Sequence, residues 1–90
     1  MNIVSYFRDK KEEKEYKKYV YLMGLYKVRL QIEDRINERK TRWNEELDRL
    51  DINDENYKSK KNFIDFCYDI DAKNLKRKLE FVEEEIGRYS

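Results

Sequence analysis

A chain of 90 residues with no histidine, no proline, one cysteine and two glycines offers little to conventional catalysis. Charged residues make up 46% and apolar ones 39%, and 21 Lys+Arg against 20 Asp+Glu leave a formal charge of +1. That balance supports neither a strongly basic nucleic-acid binder nor an acidic mimic of nucleic acid, and the apolar content sets the chain apart from disordered sequences.

The length fits one domain with a modest core. Cys67 has no second cysteine to pair with, so neither an internal disulfide nor a C-x-x-C site can form. No apolar run is long enough to span a membrane or to serve as a signal-peptide core. A reducing, cytoplasmic setting is therefore expected, the host cytoplasm if the protein is viral. The abundance of Lys, Asn, Ile, Tyr and Glu, with Ala72 as the single alanine, has the look of an AT-rich genome.

Along the first half, apolar residues fall on one helical face: Phe7, Tyr21, Leu25, Val28, Ile32, Ile36, Trp43, Leu47 and Leu50. Lys11, Lys14 and Lys18 share that face, so its N-terminal part is not expected to be deeply buried. With no proline to interrupt it, a helix over about residues 5–50 is expected, with Ser5 as its N-cap. Gly24 and Thr41 are the places where it would bend or break. Residues 26–33 alternate apolar and polar, which is also a strand pattern. Helix is preferred, because strong helix formers flank the segment and Val28, Ile32 and Ile36 continue the face at four-residue steps.

Residues 51–56 are polar and rich in Asp and Asn, and form the expected turn. A second face follows: Tyr57, Ile64, Tyr68, Ala72, Leu75, Leu79, Val82, Ile86 and Tyr89. Its alternating steps of four and three from Tyr68 onward are the spacing of a coiled-coil seam. Asp71 would cap a separate C-terminal helix if the chain broke at residues 69–71. The expectation is thus a single all-α domain, an antiparallel helical hairpin or a small three-helix bundle, with one or two helices over about 57–89.

Apolar residues remain once these faces are assigned. Tyr16, Tyr19, Met23, Tyr26 and Leu30 lie opposite Leu25 and Ile32, and Phe63, Phe66, Ile70 and Phe81 form a second set. In a straight hairpin the two patches lie at different heights and cannot cover each other. They are either the core of a more compact bundle or an interface, since contiguous apolar patches are seldom left bare. Tyrosine suits an interface, having apolar area and a hydroxyl that tolerates water. A homodimer is the simplest way to cover them.

Chemistry is sparse. Without imidazole there is no Ser-His-Asp or Cys-His arrangement and no histidine-based zinc site. Cys67, between Phe66 and Tyr68, reads as a buried, inert thiol. No phosphate-cradling glycine loop occurs. Asp51, Asn53 and Glu55 imitate the start of a calcium loop, but Asn56 stands where glycine is needed and Asn62 where the closing glutamate belongs. No metal and no cofactor are expected, and no enzyme.

The expectation is a non-catalytic helical protein that binds and regulates or inhibits a partner protein, as a dimer. A phage or mobile-element inhibitor of a host defence enzyme, of the anti-CRISPR type, is one concrete version. Tyr16, Tyr19, Met23 and Tyr26 are the first candidates for self-association or partner contact. Arg39, Arg42 and Trp43 come second, because Arg and Trp are enriched at interface hot spots. The alternative is nucleic-acid binding through Arg35, Arg39, Arg42, Lys76, Arg77 and Lys78. Acidic neighbours such as Glu38 and Glu45 favour ion pairing along the helix instead.

Overall fold

The computed structural model describes residues 3–90, with side chains described from Lys11 onward. Two α-helices and no strand occur among the described residues: α1, Ile3–Asp48, and α2, Tyr57–Tyr89. α1 already begins at Ile3, so Ser5 lies within the helix and is not its N-cap, and the face position of Phe7 rests on a side chain outside the described residues.

Ion pairs along the surface support both helices. Lys17 pairs with Glu13 at 3.1 Å, Arg42 with Glu46 at 3.0 Å and Lys73 with Asp69 at 2.8 Å, all one turn apart. Each such exposed pair adds about 0.2–0.5 kcal/mol to a helix. Arg42 thus reaches toward Glu46 rather than back to Glu38. Thr41 donates its hydroxyl hydrogen to the Asn37 carbonyl at 3.0 Å, and α1 runs through it without a break.

α1 also runs through Gly24, whose missing Cβ faces open space. Gly24→Ala should therefore raise stability by about 0.5–1 kcal/mol, because a helical glycine carries the larger entropy loss. Urea denaturation followed by circular dichroism measures it, and an unchanged or lowered midpoint would contradict an open helical site.

Residues 26–33 are helical, with Ile32 turned into the hairpin and Val28 at its edge. α2 is likewise unbroken at residues 69–71. Asp71 caps nothing there; its carboxylate reaches across to Arg39. The three-helix alternative accordingly gives way to two helices.

The connection is two tight turns in series. Asp54 N–H donates to the Asp51 carbonyl and Tyr57 N–H to the Asp54 carbonyl, both at 3.0 Å. Each turn is braced by its own first side chain: Asp51 Oδ1 accepts from Asn53 N–H at 2.9 Å, and Asp54 Oδ1 from Asn56 N–H at 2.8 Å. This is the Asx geometry that makes aspartate a turn former. Lys60 also donates to Asp54, and this contact, with the Asn56 N–H, holds the Asp54 carboxyl below its ordinary pKa.

The hairpin measures 81 × 16 × 14 Å. Its core is one layer thick: Leu25, Ile32, Val82 and Ile86, with Leu22, Ile36 and Leu79 packed against them. None of the described side chains is completely shielded from solvent. At the open end, Tyr21 meets Tyr89 edge-on at 5.0 Å and donates its hydroxyl to Glu85 at 3.1 Å. Because Tyr89 ends α2, the part of α1 before Tyr21 projects past it as an arm. Residues 11–20 of that arm are all exposed. Lys11, Lys14 and Lys18 occupy the continuation of the stripe that faces α2 further along, and all three are exposed.

Candidate interaction surfaces

On α1 the residues Tyr16, Tyr19, Met23, Tyr26 and Leu30 follow one another at steps of three, four, three and four. A helix turns about 100° per residue, so they form one stripe, roughly opposite the stripe of Leu25 and Ile32 that faces α2. They are 68%, 60%, 52%, 36% and 58% exposed. The spacing is that of the a and d positions of a two-heptad coiled coil. It ends at Glu33 and Asn37, which take the next two places on the stripe.

On α2 the corresponding unpartnered set is Phe63, Phe66 and Ile70, all exposed. They lie near the loop end, alongside the Arg39–Trp43 part of α1, whereas the α1 stripe lies toward the open end. The two apolar sets are thus separated along the rod and neither covers the other.

Arg39 and Trp43 are placed between the helices. Arg39 is buried, and its Nε donates to Asp71 Oδ2 at 2.7 Å. Its guanidinium carbon stands 5.6 Å from the centre of the Tyr68 ring. Trp43 stacks on the same ring at 4.4 Å with 12° between planes, and its Nε1–H donates to Asp65 Oδ1 at 2.9 Å. The three side chains therefore hold the loop half of the hairpin together, where aliphatic packing is thin. Arg42 is exposed, and the Glu46 carboxylate keeps its proton more tightly bound.

Five of the six cations named for nucleic-acid contact line one side of the rod. Arg35, Arg39, Arg42 and Lys78 surround a shallow groove that also contains Glu38 and Asp71. Arg35 and Lys78 continue into a neighbouring groove with Arg77, over a floor of Val28, Ile32, Phe81 and Val82. Lys76 lines a different recess, with Ile36, Tyr68 and Ala72. The periodicity of each helix separately did not reveal that Arg35 and Arg42 would meet Lys78. That follows only from the antiparallel register.

Cys67 is half-buried and unpaired. Among the described residues no group of three His, Cys, Asp or Glu side chains is arranged to hold a metal ion. No helix among them is long and apolar enough to cross a membrane.

These features define a class: an antiparallel α-helical hairpin with a projecting arm and apolar stripes on its outer faces. Comparison with protein-family models, with curated proteins and with solved structures finds no match.

Proposed function

We propose that this chain is a non-catalytic helical binding protein that acts by docking against protein through its outer apolar faces. The observation that carries the reading is the disparity, among the described residues, between a core of four buried apolar residues and fourteen large apolar side chains left exposed. The part of this set that lies on the outer stripes, Tyr16 to Leu30 on α1 and Phe63, Phe66 and Ile70 on α2, favours contact with other chains, since contiguous apolar patches are seldom left bare. The Phe63, Phe66 and Ile70 face is the surface for the protein that is regulated. It presents two exposed phenylalanines, and aromatic side chains are enriched at protein interfaces. Inhibition of a host enzyme by a phage or mobile-element protein is the most specific form of this reading.

Cross-linking mass spectrometry of tagged protein in cells tests it. Phe66→Glu, at an exposed site, should leave helicity unchanged and remove cross-links from α2 to other proteins. Retention of the same cross-linked proteins by Phe66→Glu would sink the reading.

The groove of Arg35, Arg42, Arg77 and Lys78 favours a second reading, contact with a nucleic-acid backbone. Glu38, Glu46 and Asp71 offset much of that charge, which is why it stands second. Fluorescence anisotropy with a labelled duplex decides between them. Affinity that falls steeply with added salt supports the groove, and no binding at low salt disposes of it.

A further inference from the structure

We infer that the α1 stripe is covered by the same stripe of a second copy, antiparallel, so that each arm lies along the other copy's α1. The inference rests on the docking reading above and names the occupant of one of its two faces.

Area is the first argument. The chain exposes 7892 Å², whereas a compact monomer of this mass exposes about 5,700 Å². The excess, on the order of 2,000 Å², follows from the 81 × 16 × 14 Å rod shape, which leaves the outer helix faces uncovered. A whole aromatic side chain presents about 150–250 Å², so the exposed fractions of Tyr16, Tyr19, Met23 and Tyr26, the four that meet in the antiparallel register, amount to on the order of 400 Å² per copy. Two copies would bury about 900 Å² from those residues, and the flanking side chains of Glu13, Glu15, Lys27 and Arg29 carry the contact toward the lower edge of stable interfaces, about 1,200 Å². The arm supplies the second argument. A helix with nothing beside it gains only marginal stability in water, and from Lys11 to Val20 the arm's apolar side chains are Tyr16, Tyr19 and Val20.

Charge selects the direction and register. In an antiparallel pair the a residue of one helix meets the d residue of the other. Placing Tyr16 opposite Tyr26 and Tyr19 opposite Met23 gives four apolar layers about a two-fold axis. That register sets Glu15 beside Arg29 of the second copy, and Glu13 beside Lys27. Shifting by one heptad keeps four apolar layers but sets Glu13 beside Asp34, a like-charge contact. A parallel pair leaves Glu15 beside Val20 and Lys27 beside Leu22, and among the described side chains it matches only Arg29 with Asp34. Arg29 is suited to the role, since its carboxylate partner within the helix, Glu33, is 3.9 Å away.

Sedimentation equilibrium of the full chain over the micromolar range tests the inference. The chain should dimerise, and Tyr19→Glu should be monomeric with unchanged helicity. Glu15→Arg and Arg29→Glu should each weaken the dimer about fivefold, as rim charge pairs do, and the double variant should recover to near the original affinity. A monomer at all concentrations, or a double variant no better than the singles, would overturn it. Phe66→Glu should still dimerise. Loss of partner cross-links with the dimer intact, or the reverse, tells failure of one face from failure of the other.

Discussion

Ile32→Asp is expected to unfold most of the hairpin. Ile32 is 7% exposed and sits in the middle of the single core layer. Removing an aliphatic side chain from such a site costs about 2–5 kcal/mol, and an unpaired carboxylate left there adds a desolvation penalty. A chain of this size has about 5–13 kcal/mol in all, and a core one layer thick places it toward the lower end. Far-ultraviolet circular dichroism with a urea titration measures the loss. The control is Leu30→Asp, two residues away on the opposite face and 58% exposed. It should change the stability of the isolated chain by less than about 0.5 kcal/mol, as surface substitutions do. Equal effects at the two positions would mean that the faces are misassigned.

Trp43→Ala is expected to cost about 2–3 kcal/mol, below the usual range for a core tryptophan because Trp43 is only half-buried. Two interactions go together: the stack on Tyr68 and the hydrogen bond to Asp65. Asp65 keeps Lys61 at 3.9 Å and is itself partly exposed, so its carboxylate is not stranded. Trp43→Phe retains a ring on Tyr68 and should restore at least half of the loss. Urea midpoints of the three chains measure this. A Trp43→Ala chain as stable as the original would show that the indole does not link the helices.

The hairpin was legible because its inner faces repeat cleanly. Leu25, Ile32, Val82 and Ile86 all lie on the stripes that helical spacing picks out, and these are the residues the fold buries. The strand-like alternation of residues 26–33 misleads only when read alone. It also fits a helix that is apolar on two sides, with Ile32 facing α2 and Tyr26 and Leu30 facing out. Arg39 was harder to see. It falls between Ile36 and Trp43 on the inner stripe, but a guanidinium counts as polar in any periodicity, so it reads as a surface cation. Its burial depends on Asp71 and Tyr68, which are distant in sequence. The same holds for Asp71, where a capping residue in sequence becomes a cross-helix acceptor in space. Neither the length of the arm nor the gathering of Arg35, Arg42 and Lys78 follows from one helix at a time, since both are set by register.

Amide hydrogen exchange across residues 11–20, measured at low and high protein concentration, addresses the outer α1 stripe most directly. Arm amides should exchange nearly as fast as an unsupported helix when dilute, and become strongly protected as copies pair. Tyr19→Glu should remain fast at both concentrations. Strong protection of that segment in a chain that stays monomeric, or fast exchange at every concentration, would contradict the account.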